Sequence, residues 1–489
     1  MSSFLLRGGR VVDPASGQDG VADLLVHDGR VAAIGMDLSA QNADTVVDVT
    51  GLIVGPGFID LHSHVHSIAG HRLQALDGVT MALDLEAGLL PVDVGYRRAA
   101  EQGRPLHYGF SASWAAARGQ VMTGADTDAN IFRILTMLGD PQWQRPSRPQ
   151  ELEAVLALLA NELAAGALGI GVLVGYAPSS DPAEFLAVAQ LAAAAGVPTY
   201  THVRELAEAD PNTPIDGSAE IVRAAAETGA RMHHCHVNST SRRHIDRVLT
   251  TLAEARSAGS KVTVEAYPYG AGSSGVGAFF LAPERLSAWG LQPSDIVLLP
   301  SGERVADVNR LREIRTTEPG TLCIVDFLDE QDAADEALLW SSMIYPDAIV
   351  ASDATPLLWP GGATDSRLWP LPAGAHTHPR TAGTFAKTIR RMVRETGTWT
   401  WPEVFRRCSL LPARLLDFVA AARNKGHLGA DADIVVLDPD RICDAATYQD
   451  PTQPSVGVRH LFVAGTPVVC DGTIVPDAFP GRPLRASPR

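Results

Sequence analysis

The amino-acid sequence predicts an α/β fold: a (β/α)8 TIM barrel with a small β-sandwich domain formed from both chain ends. Three observations predict it. Short alternating strands without a helical period occupy residues 4–54 and return after residue 432. Between them, apolar or β-branched runs alternate with helical stretches rich in Ala, Leu, Glu and Arg. With the first run, at 57–62, the middle of the chain contains eight strand segments, the number that a barrel requires.

Both ends of the chain show the pattern of a small β module, with short strands separated by turns. The N-terminal strand segments are 4–6, 10–13, 23–26, 30–34 and 46–54. The C-terminal strand segments are 433–437, 456–463 and 466–470. We expect these segments to pair with one another, so that residues 1–55 and 426–489 form a single sandwich domain.

The barrel is predicted over residues 56–425. Its strand segments are 57–62, 79–86, 106–111, 168–174, 197–202, 231–237, 261–267 and 348–352. The clearest helices are 151–165, 183–195, 217–228, 241–257 and 383–395. An irregular insertion over about 271–345 is expected before the last strand. A doubly wound open sheet is the alternative, but no Gly-x-Gly-x-x-Gly or P-loop motif supports it.

Composition limits the class of protein. The chain has 489 residues, of which 46% are hydrophobic and 20% charged, as in ordinary globular proteins. Its net charge of −16 argues against nonspecific binding to nucleic acid or to anionic membranes. The five cysteines are scattered and form no Cys-x-x-Cys pair, which indicates reduced thiols. Since neither a signal peptide nor a membrane-spanning run is present, we expect a cytoplasmic protein with a small-molecule partner.

The stretch from Gly57 to His64 contains a pair of histidines at the end of the first predicted strand. Because strand side chains alternate between faces, His62 and His64 project to the same side, about 7 Å apart along the backbone. Two imidazoles in this arrangement can share one cation such as zinc.

Three other predicted strands end on residues that bind metals. His202 ends the segment 197–202, His236 lies at the end of 231–237, and Asp353 directly follows 348–352. A single histidine in such a place is usually hydrogen-bonded to a neighbouring loop. In a barrel, however, the C-terminal ends of the strands gather the reactive groups. Four histidines and an aspartate at strand ends therefore favour a metal site.

These residues resemble the pattern of the amidohydrolase superfamily, in which a barrel binds one or two divalent metals. Within it, the sequence is most similar to D-aminoacylases and N-acyl-D-glutamate deacylases. The resemblance is carried by the stretches 166–178, 201–205, 264–269, 378–385 and 429–438. It implies that His62, His64, His202 and His236 hold zinc or another divalent ion. It also implies that Asp353 is the general base and then the acid for a metal-activated water, with a purely ligating role as the alternative.

The ligand that bridges the two metals in this superfamily departs from the usual pattern. Many relatives use a carbamylated lysine on the fourth strand, and D-aminoacylases use a cysteine on the second. No lysine occurs in 166–178 and no cysteine in 79–91. The second strand segment ends on Glu86, so we expect Glu86 to be the bridging ligand. Two alternatives remain: Glu86 pairs with an arginine, or Asp84 is the ligand because the strand register is shifted.

The resemblance implies deacylation of an N-acyl-D-amino acid, possibly an acidic one. A substrate of this kind has a carboxylate, which arginine binds with a two-pronged fork. Residues at the positions of the family's motifs are therefore substrate-binding candidates, with a salt bridge or a packed ring as the alternative for each: Arg204, Arg380, Tyr176, Tyr269 and His378.

Two other functions compete with deacylation. One is ring-opening of a cyclic amide, as in hydantoinases or dihydroorotases, which typically use the carbamylated lysine that is missing here. The other is a non-catalytic barrel kept for assembly, although such proteins lose the metal-binding histidines that this chain retains. By analogy with similar barrels, we also expect a homo-oligomer.

Overall fold

The computed structural model describes residues 3–429 and 431–487. Residues 1, 2, 488 and 489 of the predicted sandwich lie outside the described residues, as does Ala430 of the 429–438 stretch. Across the described part of the chain, no helix combines the length and the apolar character needed to cross a membrane.

Strands dominate both ends of the chain and alternate with helices between them. The strands are β1 (Phe4–Asp13), β2 (Gln18–His27), β3 (Arg30–Gly35), β4 (Thr45–Asp48), β5 (Ile53–Pro56), β6 (Phe58–Asp60), β7 (Val79–Leu89), β8 (His107–Ser113), β9 (Ile170–Leu173), β10 (Pro198–His202), β11 (Arg231–His234), β12 (Val262–Ala266), β13 (Ala271–Gly275), β14 (Ile296–Leu298), β15 (Leu322–Asp326), β16 (Ile349–Val350), β17 (Ile434–Leu437), β18 (Val458–Val463), β19 (Thr466–Cys470) and β20 (Thr473–Ile474). The α-helices are α1 (Ile68–Leu76), α2 (Val92–Gln102), α3 (Trp114–Thr123), α4 (Ile131–Met137), α5 (Pro141–Gln144), α6 (Pro149–Ala164), α7 (Pro182–Ala195), α8 (Gly217–Thr228), α9 (Val237–Ser241), α10 (Ile245–Ser257), α11 (Val308–Thr317), α12 (Ala333–Ile344), α13 (Arg380–Ile389), α14 (Trp401–Phe405) and α15 (Leu411–Leu415).

Strands from both ends of the chain form one mixed sheet, in the order β20-β19-β18-β17-β5-β1-β2-β3, with β4 also paired to β1. The predicted pairing of the two chain ends is therefore confirmed. A bulge after Leu6 bends β1, which pairs with β4 before the bulge and with β5 after it. Gly8, at the bulge, has a φ of 76°, which residues with a Cβ rarely adopt. Side chains from both ends share one buried core: Leu6, Val11, Leu24, Val26, Val49, Val54, Ile434, Val436 and Phe462.

A second sheet contains the eight predicted barrel strands, in the order β16-β12-β11-β10-β9-β8-β7-β6. Its described ladders are parallel, and helices connect its successive strands. Parallel strands alternating with helices in this way form the (β/α)8 barrel that the sequence predicts. The helices predicted over 151–165, 183–195 and 217–228 correspond closely to α6, α7 and α8.

The chain divides into two compact units. The first comprises residues up to 83, 98–109 and 349–485, and includes the sheet of the chain ends with β6 and β16. The second comprises 84–97 and 110–348, and includes β9 to β12 with their helices.

Two predicted elements differ from the structure. The insertion over 271–345 is not irregular, because β13, β15 and β14 form an antiparallel sheet beside α11 and α12. Strand β13 reads Ala-Gly-Ser-Ser-Gly and has no apolar alternation by which to recognise it. The single helix predicted over 241–257 is interrupted at Arg242, whose φ is 50°, and resumes as α10.

Candidate functional site

In the first unit, His62, His64 and Asp353 bring their ligand-type atoms together, and we call these residues the first donor set. The Nε2 atoms of His62 and His64 are 3.1 Å apart. The Oδ1 atom of Asp353 lies 3.3 Å from the first of these nitrogens and 3.4 Å from the second. Ligand atoms around a tetrahedral zinc ion are separated by about 3.3 Å, given metal–nitrogen distances near 2.0 Å. The spacing of the first donor set therefore fits a small divalent cation.

Asp60 holds the two strands that carry the first donor set. Its Oδ1 accepts the backbone N–H of His62 at 3.2 Å and that of Ser352 at 3.0 Å. Its Oδ2 accepts from Gln74 at 2.8 Å and from the Ser352 hydroxyl. Burial raises the pKa of Asp60 to about 6, against the hydrogen bonds from Ser352 and His62. Asp60 is not among the residues predicted from the sequence, although residues 60, 62 and 64 lie on one face of an extended chain.

Arg380 and His378, two predicted substrate-binding residues, lie at the start of α13. The Nη2 of Arg380 is 2.9 Å from Oδ2 of Asp353, so this carboxylate is held on its other oxygen by a buried guanidinium. The Nδ1 of His378 accepts the backbone N–H of Arg380 at 3.1 Å, which orients the first turn of the helix. The prediction that Arg380 and His378 bind substrate stays a prediction.

In the second unit, Glu86, His202 and His236 form the second donor set. The Oε1 atom of Glu86 lies 2.8 Å from Nε2 of His236 and 3.0 Å from Nδ1 of His202. The two imidazole rings meet edge to face, with their centroids 4.7 Å apart. One carboxylate oxygen thus faces two imidazole nitrogens, an arrangement that can hold a metal ion.

The carboxylate of Asp84 makes a different contact. Its Oδ1 accepts the backbone N–H of Gly88 at 3.2 Å. The geometry therefore favours Glu86 over Asp84 as the ligand on this strand, and a bridging role for Glu86 stays a prediction.

Aromatic side chains surround His202. The Tyr176 ring lies 4.6 Å from the imidazole, and its hydroxyl accepts from the Ser274 hydroxyl at 3.2 Å. Phe280 stacks on the same imidazole at 6.1 Å with an interplanar angle of 11°. Phe280 is not among the residues predicted from the sequence, since it belongs to the insertion, where no strand or helix period marks it. Tyr269, also predicted to bind substrate, is buried, and its carbonyl accepts from Asn238 at 3.4 Å.

Arg204 has an ion pair with the protein itself. Its Nε and Nη2 each donate to Glu220 at 2.9 Å, and its Nη1 donates to the carbonyls of Ser180 and Pro178. The side chain is fully buried. This geometry favours the packed ion pair over the predicted role in binding a substrate carboxylate, because protein acceptors already face its donors.

Comparisons with known proteins agree with this architecture. The sequence profile of the amidohydrolase family matches residues 45–469. An N-acyl-D-glutamate deacylase from Alcaligenes xylosoxydans xylosoxydans is 30% identical over 99% of this chain and 96% of its own length. A D-aminoacylase from the same organism is 28% identical over 95% of this chain and 94% of its own.

A solved structure extends the likeness to the fold. The N-acyl-D-glutamate deacylase from Bordetella bronchiseptica, complexed with zinc and a phosphonate inhibitor that mimics the tetrahedral intermediate, has a TM-score of 0.75. It is 25% identical in sequence, and the match covers 99% of this chain and 100% of that one. The chain therefore belongs to the amidohydrolase family and is a metal-dependent hydrolase of carbon–nitrogen bonds other than peptide bonds.

Proposed function

We propose that this protein removes the acyl group from an N-acyl-D-amino acid, and that its metal is zinc. One observation carries the proposal. A chain that aligns over nearly its whole length with an N-acyl-D-glutamate deacylase contains two sets of imidazole and carboxylate ligands with metal-like spacing.

Each donor set would hold one divalent cation. His62, His64 and Asp353 would bind one ion, and Glu86, His202 and His236 the other. Imidazole nitrogens and carboxylate oxygens in this proportion suit zinc better than the harder cations magnesium and calcium. A bound cation of this kind supplies Lewis acidity for the amide carbonyl and lowers the pKa of water.

Asp353 would move the proton in the reaction. Its Oδ2 is held by Arg380, while its Oδ1 faces the imidazoles of the first donor set. The carboxylate is therefore fixed in orientation. It would accept the proton of the attacking water and then donate it to the leaving nitrogen, as general base and then general acid.

The test is a substrate screen with purified, zinc-supplied protein and its metal content measured in parallel. The panel contains N-acetyl and N-formyl derivatives of D- and L-amino acids together with hydantoins and dihydroorotate. We expect amine release from D-amino acid derivatives alone. Hydrolysis confined to the cyclic amides, or no hydrolysis by protein that holds at least one equivalent of metal, would refute the proposal.

A further inference from the structure

Arg242 is a partly buried cation that the proposed chemistry does not use. It lies on the short turn between α9 and α10, where its Nε donates to the carbonyl of Ser239 at 3.2 Å. Its Nη1 is buried and has no hydrogen-bond partner among residues 3–429 and 431–487. A buried N–H donor such as this Nη1 is costly when it lacks an acceptor, because the water that it would bind is excluded.

Glu205 is a carboxylate that interacts electrostatically with Arg242. Its oxygens already accept hydrogen bonds from other donors. Arg285 donates to its Oε2 at 3.0 Å, and the Trp289 indole N–H donates to its Oε1 at 3.2 Å. Arg285 also donates to Asp210 at 2.9 Å, so one guanidinium is shared by two carboxylates and the group keeps a negative charge. Glu205 therefore attracts Arg242 through space without satisfying its Nη1.

Arg242 belongs to the surroundings of the second donor set. The Ser239 hydroxyl, in α9, lies 3.1 Å from Nδ1 of His236. The guanidinium lies over the indole of Trp289, whose ring is 5.6 Å from that of Phe280. Phe280 in turn stacks on His202. The cation and the two aromatic rings thus form a continuous row of contacts that ends on the imidazole of His202.

We propose that Arg242 binds the carboxylate of the substrate, with Phe280 and Trp289 packing against an apolar amino-acid side chain. The inference rests on the proposed function, because it concerns the substrate of that reaction. A carboxylate would supply the missing acceptor at Nη1 in a charge-assisted hydrogen bond. Cation–π stacking on the indole uses only the face of the guanidinium, so its Nη1 could still donate to such a ligand.

The adjacent arginine offers a matched control. Arg243 has a side chain that is 55% exposed and donates through its Nε to Asp335 at 3.0 Å. Arg242→Met and Arg243→Met therefore remove the same charge from neighbouring positions. Arg242→Lys retains the charge but loses the fork, and melting temperatures of all three variants identify any that fail to fold.

The experiment measures binding rather than turnover, so that its failure is distinct from failure of the proposed function. Calorimetry compares N-acetyl-D-leucine with N-acetyl-D-leucinamide, which lacks the carboxylate. The protein with Arg242 intact (the wild type of this series) and each variant carry Asp353→Asn, so that the acetyl group is not removed during the titration. We expect the wild type and Arg243→Met to bind the acid about 10- to 100-fold more tightly than the amide. Arg242→Met should lose this preference, and folded Arg242→Lys should keep part of it. Equal affinity of the wild type for both compounds, or an unchanged preference in Arg242→Met, would overturn the proposal.

Discussion

Glu86 is the candidate metal ligand on β7, because its carboxylate contacts imidazole nitrogens. It faces two imidazoles, whereas Asp84, two residues earlier on the same strand, accepts a backbone N–H. We expect Glu86→Ala to lower the metal content of purified protein, because one of three ligands of the second donor set is lost. Elemental analysis after dialysis measures this. Asp84→Asn is the matched control and should retain its metal; the reverse result would make Asp84 the ligand.

Asp353 can be tested for base chemistry separately from metal binding. Asp353→Asn keeps the shape of the side chain and an oxygen that can ligate, but removes the group that accepts a proton. Hydrolysis should fall by at least about 100-fold, the usual contribution of a positioned general base. Metal content should stay close to that of the wild type. The exposed Asp347, substituted by Asn, is the control, and loss of metal in the Asp353 variant would show that this residue is chiefly a ligand.

At the scale of elements, a buried charged cluster joins β8 to β17. Asp433, just before β17, accepts from Lys425 at 2.6 Å, from His107 at 3.0 Å and from the backbone N–H of Ala464 at 2.7 Å. Burial raises the pKa of Asp433, but the positive partners and hydrogen bonds outweigh burial and hold the pKa below its usual range. This cluster gives a structural reason for the aspartate of the 429–438 stretch.

The lowered pKa of Asp433 predicts how its contribution depends on pH. Because the folded protein binds this proton less tightly than the unfolded chain does, the stabilisation is complete above about pH 4. It is lost as the pH falls through the folded-state pKa. Asp433→Asn should reduce the free energy of unfolding by about 3 kcal/mol at pH 7, since a buried charge loses its partner. Denaturant unfolding should show that the difference from the wild type persists at pH 5 and disappears only at more acidic pH; loss of the difference by pH 5 would contradict the assignment.

Elements with a clear period could be predicted from the sequence, and those defined by tertiary contacts could not. Several barrel strands are apolar runs that end on or next to histidine or carboxylate, so the sequence predicted both their positions and their reactive residues. The interruption at Arg242 was not, because Ser-Arg-Arg-His-Ile-Asp has ordinary helical composition. Arg204 is similar: its partner Glu220 lies one turn into α8, and only the fold brings the two together.

At the scale of the whole molecule, the architecture could be predicted from the sequence, but substrate specificity could not, because it depends on tertiary contacts. The pairing of both chain ends and the order of the barrel strands follow from alternation patterns that extend over the chain. The choice of the arginine that meets a substrate depends on which guanidiniums the folded chain already satisfies. Arg204 and Arg380 contact carboxylates of the protein, whereas the buried Nη1 of Arg242 has no acceptor within the part of the chain that the structure describes.

Metal binding should also stabilise the molecule as a whole. A cation that binds only the folded state raises the free energy of unfolding by about 2.7 kcal/mol when its free concentration is 100 times its Kd. We therefore expect protein stripped by a chelator to melt at a lower temperature and to recover when zinc is added. Calcium and magnesium should have little effect, because both donor sets contain two imidazoles, which these cations bind weakly.

Substitutions in each donor set provide the controls for this melting experiment. His62→Ala removes a nitrogen ligand from the first set and His202→Ala one from the second. Each substitution should reduce the rise in melting temperature that zinc produces. It should lower the melting temperature of the metal-free protein less, because the lost ligand has no cation to bind there. Full recovery in both variants would mean that zinc stabilises the chain elsewhere, and a larger response to calcium than to zinc would exclude an imidazole-rich site.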